Sequence, residues 1–207
     1  MIQYLKRRKH RKMASLHIYV GNMMSNKTSS LIRELVVDAS IGLNVLYINH
    51  KLDDRSPAII STHNPMLKLD CDLTTIKFTK TDKLASVDIS QYDVVGIDEA
   101  QFFSDLYSTV REWVDTTSKK FVIVGLDGTS NREKFGQILD LIPLCDTITK
   151  LTAYCKRCAN QTPRKLVKAP FTHRFSTDVS VICVGGADLY EPVCRPCYLQ
   201  LNISKND

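Results

Sequence analysis

Three groups of residues have the types and spacing that chemistry needs. The first is Gly21-Asn22-Met23-Met24-Ser25-Asn26-Lys27-Thr28. It follows the phosphate-loop pattern of Gly, four residues, Gly, Lys and Ser or Thr, with Asn26 in place of the second Gly. In such a loop the backbone N–H groups cradle phosphates, the Lys adds a point charge and the hydroxyl reaches magnesium. Asn is among the few residues that visit the left-handed backbone routinely, so Asn26 is compatible with a working loop of altered affinity. A chance match to a degenerate pattern is the competing reading. The second group is Asp98-Glu99, which ends the apolar run Val94-Val95-Gly96-Ile97. Beside a phosphate loop, Asp98 and Thr28 would bind magnesium directly or through water. Glu99 could take a proton from an attacking hydroxyl; without the loop, the pair would be only a polar strand end. The third group is Cys155-x-x-Cys158 and Cys194-x-x-Cys197, separated by 35 residues. Two tight thiolate pairs can complete a tetrahedral zinc site with no vacant position, which is a structural role. Four free thiols are the bland alternative.

The elements that must position these groups alternate. Leu16–Val20 enters the phosphate loop as a buried strand. Lys27 to Ala39 leaves it as a helix with Leu31, Ile32, Leu35, Val36 and Ala39 on one face. Ile41-Gly42 stops that helix. Asn44 to Asn49 reads as a strand, His50 to Asp72 as a polar loop, Thr74 to Phe78 as a weaker strand and Val94 to Ile97 as a buried one. Residues 104–116 carry a helix with Leu106, Val110, Trp113 and Val114 inward. Lys120 to Leu126 is the clearest strand. Phe135 to Leu144 is helical or irregular, and Ile148 to Leu151 ends the series. This alternation predicts an α/β fold with a parallel sheet. After Leu151 the chain becomes rich in Cys, Pro and basic residues, with no helical period.

Composition bounds the rest. At 207 residues with 43% hydrophobic content, the chain holds one main domain and a small appendage. No apolar run approaches the roughly 20 residues of a membrane span, and no signal peptide is expected. Seven cysteines with two tight pairs point to a reducing compartment. Cys71, Cys145 and Cys183 lack such spacing and read as core. The net charge of +6 comes from the first twelve residues, which hold six of the 28 basic residues and no acid; the other 22 balance the 22 acidic residues. Residues 1–13 are expected to be a disordered basic arm, solvated or in contact with nucleic acid, an anionic membrane or an import receptor.

Further short motifs occur in one order: Asp98-Glu99-Ala100-Gln101-Phe102-Phe103, Leu126-Asp127-Gly128-Thr129, Leu151-Thr152-Ala153, Gly185-Gly186-Ala187-Asp188-x-Tyr190 and Val193-Cys194-Arg195. With the phosphate loop and the cysteine pairs, they resemble the type II thymidine kinases, a family of cellular, bacterial and poxviral enzymes. The resemblance runs from about Leu16 to Tyr198. It implies a phosphate-loop α/β domain over 14–150, a zinc-binding lasso domain over 151–200 and a tail over 201–207. It implies transfer of the γ-phosphoryl group of ATP to the 5′-hydroxyl of thymidine, and possible use of deoxyuridine. Under it, Gly21 to Thr28 hold ATP together with Asp53, Asp54, Arg55, Asp98 and Gln101. Thr28, Asp53 and Asp98 lie around magnesium, Glu99 is the base, and Arg55 stabilises phosphoryl charge. Met23, Phe102, Phe135 and Tyr190 become nucleoside-pocket residues, with Ser130 at an expected pocket position. Val181, Ile182, Cys183, Val184 and Gly185 belong to a lasso that binds the base through its main chain. The family is usually a cytoplasmic homotetramer; nucleic acid and membrane are not expected partners.

The chain departs from that family at Asn22, Met24 and Asn26, where the loop usually reads Gly-Pro-Met-Phe-Ser/Ala-Gly-Lys. Ser130 stands for a usual Phe, which removes aromatic surface from the pocket, and Ser56 replaces a common Tyr. The stretch between the cysteine pairs is longer than usual, with Lys165 to Arg174 as the expected insertion. Two rivals therefore stand beside a kinase: a catalytically weakened nucleotide-binding homologue, and a nucleic-acid-stimulated ATPase built on Asp-Glu-Ala-Gln.

Overall fold

The computed structural model describes residues 13–53, 74–175 and 188–203. The apolar runs become β1 (Ser15–Gly21), β2 (Val45–His50), β3 (Ile76–Thr81), β4 (Val94–Ile97), β5 (Lys120–Leu126) and β6 (Thr147–Leu151). They form a six-stranded sheet in the order β3-β2-β4-β5-β1-β6, parallel at every pairing. Parallel strands need crossovers, and α1 (Lys27–Ser40) and α2 (Leu106–Thr116) supply two of them. The expected α/β fold with a parallel sheet is therefore present.

Period-2 alternation divides the strands between two cores. Leu16, Ile18 and Val20 of β1, Val95 and Ile97 of β4, and Phe121 and Ile123 of β5 face one side. There they meet Leu106, Val110 and Trp113 of α2 and Ile138 and Leu141 beyond β5. Val45 and Tyr47 of β2, Val94, Val122 and Val124 face the other, against Leu31, Ile32 and Leu35 of α1. Each fully buried aliphatic or aromatic side chain contributes about 1.5–3 kcal/mol. Edge strand β6 differs. Thr147 to Lys150 are exposed, and their Thr and Lys side chains suit a sheet edge facing solvent.

Several boundaries differ from expectation for local reasons. The first helix extends to Ser40 and stops at Ile41, followed by Gly42 at φ +84°. Its buried face includes Asp38 rather than the half-buried Val36, because Asp38 accepts a 2.7 Å hydrogen bond from Lys120 Nζ of β5. In α2, Thr109 is buried and Val114 only half-buried. Ile138–Leu144 is a 3-10 segment containing Pro143, and Cys145 behind it is half-buried rather than core.

The C-terminal region holds β7 (Ala153–Tyr154), β8 (Lys168–Ala169), β9 (Phe171–Arg174) and β10 (Tyr190–Val193), with helices α3 (Lys156–Ala159) and α4 (Arg195–Ile203). β7 pairs antiparallel with β8, and β9 with β10. The helix α4 overturns the expectation that no helix follows Leu151. Pro196 sits in its first turn, where a missing N–H is tolerated. The second half of the expected insertion Lys165–Arg174 holds paired strand: Ala169 of β8 is buried with the cysteines, and Thr172 of β9 is buried against the loop after β1.

Candidate functional site

In a parallel sheet every strand ends on the same edge, and ligands collect in the crevice there. The ends of β1, β2, β4 and β5 place Gly21, His50, the Asp98-Glu99 pair and Asp127 along that edge. A Cβ on Gly21 would lie 2.4 Å from the carbonyl oxygen of Leu151, so the loop starts where no side chain fits. Met24 and Asn26 are both left-handed, at φ 61° and 65°, a backbone that turns successive N–H groups inward. Asn26 thus takes the conformation expected of it, with no side-chain cap bond to α1. Lys27 Nζ donates 2.8 Å to the carbonyl of Asn22, and Ser25 Oγ donates to the same oxygen at 2.8 Å.

The two adjacent carboxylates are differently held. Asp98 is buried, accepts 2.7 Å from the Tyr47 hydroxyl and 2.8 Å from the Glu99 N–H, and is also hydrogen-bonded by the Thr28 hydroxyl. Burial and the neighbouring Glu99 carboxylate push Asp98 up to about 6, against the pull of those donors. Glu99 is left-handed at φ 49° and buried, a strained backbone of the kind that gathers at working sites. Its Oε2 accepts 2.6 Å from Gln101 Nε2, while Gln101 Oε1 is anchored by the Leu126 N–H at 2.9 Å. Gly136, at φ +60°, presses on that turn: a Cβ there would lie 2.1 Å from the Gln101 carbonyl.

Asp53 lies at the end of the segment leaving β2. Its Oδ2 accepts 2.8 Å from Asn49, and its carboxylate raises Tyr47 together with Asp98 and Glu99, after burial itself. Tyr47 therefore collects the influence of all three acids. Asp98 and the Thr28 hydroxyl, in direct contact, are oxygen donors of the kind a divalent cation such as magnesium takes.

The structure brings together part of the expected nucleoside set. Phe102 and Phe135 meet edge to face at 5.7 Å, and His50 braces both Phe102 and Phe103 at 5.7 and 4.7 Å. His50 accepts the Leu52 N–H at 3.0 Å through Nδ1, and burial lowers its pKa, so it stands as a neutral ring. Met23 and Tyr190 are tied instead to the C-terminal region: the Met23 N–H donates 3.1 Å to Thr172 Oγ1, and Tyr190 pairs with Arg174 across β9 and β10. The Ser130 carbonyl accepts 2.6 Å from the Tyr198 hydroxyl, and Arg132 stacks over the Tyr198 ring at 4.5 Å. A cavity of about 250 Å³ opens beside Asn22, Asp127, Thr129, Lys150, Phe171 and Thr172. Asp54, Arg55 and the stretch Val181, Ile182, Cys183, Val184 and Gly185 lie outside the described residues, as do Cys71, the arm over 1–12 and residues 204–207.

The four paired cysteines converge. Their sulfurs all lie within 4.8 Å of one another, with Cys158 3.7 Å from Cys194 and 3.8 Å from Cys197. Four thiolates about 2.3 Å from one tetrahedral zinc would be about 3.8 Å apart, so the donor set fits zinc and not a disulfide. Against the upward push of burial, N–H groups of Cys158 and Cys194 hold Cys155 down to about 7. Burial and neighbouring thiols push Cys158 and Cys197 up. A bound cation would deprotonate the whole set.

Sequence reasoning missed Tyr47, Asn49, His50, Thr172, Tyr198 and Arg132. Tyr47 carried one usable signal, since a buried phenol needs a hydrogen-bond partner. The others meet their partners only through the fold.

A loop of phosphate-binding pattern between β1 and α1, on a parallel sheet with a strand-end pair of carboxylates, marks an α/β protein with its crevice at the carboxyl edge of the sheet. The sequence profile of the thymidine kinase family matches residues 14–198. A thymidine kinase of rice (Oryza sativa subsp. japonica) is 39% identical over 89% of this chain and 66% of its own length. Thymidine kinase a of Arabidopsis thaliana is 36% identical over 91% of this chain and 76% of its own. A thymidine kinase of variola virus is 32% identical over 89% and 96%. The chain belongs to the thymidine kinase family of enzymes. Among the described residues, no helix is long and apolar enough to cross a membrane.

Proposed function

We propose that this chain is an ATP-dependent deoxynucleoside kinase that transfers the γ-phosphoryl group to the 5′-hydroxyl of thymidine, with deoxyuridine as a second acceptor. The observation that carries the reading is Glu99, buried beside the phosphate loop and oriented by Gln101, whose own amide is fixed by the Leu126 N–H. In this reading the loop N–H groups hold the phosphates of ATP, and Lys27 leaves the Asn22 carbonyl to meet the transferring group. Glu99 accepts the 5′-hydroxyl proton as that oxygen bonds to the γ-phosphorus and ADP departs. Thr28, Asp53 and Asp98 would hold magnesium, which neutralises phosphate charge. Arg55 would add charge at the same place. Phe102 and Phe135 supply an aromatic wall for the base, with Met23, Tyr190 and the stretch from Val181 to Gly185 completing the pocket. Cys155, Cys158, Cys194 and Cys197 would hold a structural zinc. The domain division at residue 150 rests on the change of composition there and on the family resemblance, a cytoplasmic location on the paired cysteines and the resemblance, and homotetrameric assembly on the resemblance alone.

The test is one coupled assay of ATP consumption with thymidine, deoxyuridine, deoxycytidine and single-stranded DNA as separate acceptors or effectors. Thymidine-dependent turnover is expected. Turnover that answers to DNA instead would make the protein an ATPase, and none with any acceptor would leave a weakened homologue.

A further inference from the structure

We infer that Asn22 is a positioning residue that couples metal occupancy of the four-cysteine cluster to the geometry of the phosphate loop. The coupling rests on the nucleotide reading given above, but the contact that carries it does not. Asn22 is 3% exposed, and its amide is used at both ends. Its Oδ1 accepts the Ala153 N–H at 3.3 Å, and its Nδ2 donates to the Phe171 carbonyl at 3.3 Å. The next residue repeats the connection through the Met23 N–H and Thr172 Oγ1.

Each partner leads straight to the cysteines. Ala153 opens β7 and is two residues from Cys155. Phe171 and Thr172 open β9, whose partner β10 ends at Val193, immediately before Cys194. Ala153, Cys155, Val193 and Cys194 share one buried cluster. A metal that draws the four sulfurs together therefore sets where Ala153 and Phe171 stand. Asn22 transmits that position to its own carbonyl, the oxygen on which Lys27 and Ser25 rest.

An Asn is needed for this because the two contacts have opposite polarity, one accepting and one donating. An Asp would put an acceptor against the Phe171 carbonyl, and a side chain without polar atoms would make neither bond. The Pro that usually fills this position in the resembling loops could make neither. The link is thus a property of this chain. Coupling of two sites is reciprocal, so nucleotide and metal must help each other by the same factor.

The experiment compares metal-loaded and chelator-stripped full-length protein, as parent, Asn22→Ala and Thr172→Val. ATP affinity is read by calorimetry, and hydrogen exchange is read over residues 21–28 with residues 120–126 as internal control. In the parent, stripping is expected to weaken ATP binding about 10-fold, and saturating ATP to raise zinc affinity, read by equilibrium competition with a chelator, by the same factor. In Asn22→Ala, stripping should change ATP affinity less than about twofold, because the link is already cut. Thr172→Val should fall between them, and it keeps the test alive if Asn22→Ala does not fold. Exchange over 21–28 should accelerate on stripping in the parent while 120–126 stays protected. An equal loss of ATP affinity in parent and Asn22→Ala would overturn the inference, as would no loss in the parent. If the parent binds no ATP, the kinase reading fails; faster loop exchange on stripping would still uphold the link, and unchanged exchange would overturn it.

Discussion

The parallel sheet and the cysteine region meet at the phosphate loop, yet they are stabilised by different means. The sheet is sealed on both faces by aliphatic and aromatic side chains, many with no exposure at all, such as Leu31, Leu35, Val122 and Phe121. Among the described residues, the buried cluster of the C-terminal region has seven members. Three are Cys155, Cys158 and Cys194, with Cys197 half-buried beside them. Regions with a core this small commonly add a metal to it. Around it, cation–aromatic stacks replace aliphatic packing: Arg132 and Arg195 lie over Phe171 at 5.7 and 4.8 Å. The difference shows where each region is vulnerable. The sheet fails through cavities, and the cysteine region fails through its ligands.

The strongest way to break that contrast is to assay the cysteine cluster for zinc and strip it. Structural zinc contributes roughly 10–16 kcal/mol of apparent free energy in small finger peptides. Purified protein should hold about one zinc per chain by elemental analysis. Cys158→Ser, or a strong chelator, should loosen β7 to β10 while β1, β4 and β5 remain protected from hydrogen exchange. A metal-free protein with an ordered, active C-terminal region would end the comparison, since its small core would then suffice.

The next largest effect belongs to the edge where the sheet does its work. Glu99→Gln keeps the shape and the place beside Gln101 but removes the proposed base. Turnover should fall by about 10²–10⁴-fold, with nucleoside affinity little changed. A rate close to the parent's would assign the proton to another group, or place its departure after phosphoryl transfer. In the sheet interior, Leu35→Ala should cost about 2–5 kcal/mol of unfolding free energy. Leu35 packs over Gly96, whose missing Cβ would lie 2.6 Å from a Leu35 methyl, so neither residue can fill the space left behind. Denaturant unfolding should register that loss with zinc content unchanged, and a parallel loss of zinc would mean the two regions are one cooperative unit.

The same contrast governs what could be read from the sequence. The strands of the sheet were legible because burial on both faces writes them as short apolar runs, and Lys120–Leu126 was placed residue for residue. The helix α4 was not, because Cys197 and Pro196 interrupt the apolar period and the cysteines are gathered by one another and not by an apolar face. Strands β8 and β9 went unread because, at two and four residues, they are too short to show a period. At the site, the loop, Asp98 and Glu99 were visible as motifs, since their spacing is local. Tyr47 was hidden inside a run that looked like plain core, and His50 was read as the start of a polar loop, although β2 runs through it. The partners of Asn22 lie 131 and 149 residues away, beyond any local pattern.

The smallest effect tests the residue that made the loop irregular. Asn26 is exposed, left-handed at φ 65° and ψ 30°, and makes no side-chain cap bond. Its carbonyl does the capping, accepting from the Ser30 N–H at 3.0 Å and the Ser30 hydroxyl at 3.1 Å. The loop therefore uses the backbone conformation of this residue and not its side chain. Asn26→Gly removes the small residual cost of that conformation, worth about 1 kcal/mol at most and so no more than about 5-fold in ATP affinity. Folding stability should stay within about 0.5 kcal/mol, because glycine's freedom in the unfolded chain offsets the gain. Asn26→Ala should weaken ATP binding by a similar factor, since Ala lacks Asn's tolerance of this backbone. Calorimetry on the three proteins should rank Gly above Asn above Ala, with nucleoside affinity unchanged throughout. Tightening far beyond 5-fold in Asn26→Gly would show that the Asn side chain stands in the way of the phosphates. Equal binding by Asn and Ala would show that the left-handed turn is not what the phosphates require, and that the loop closes on its ligand in another conformation.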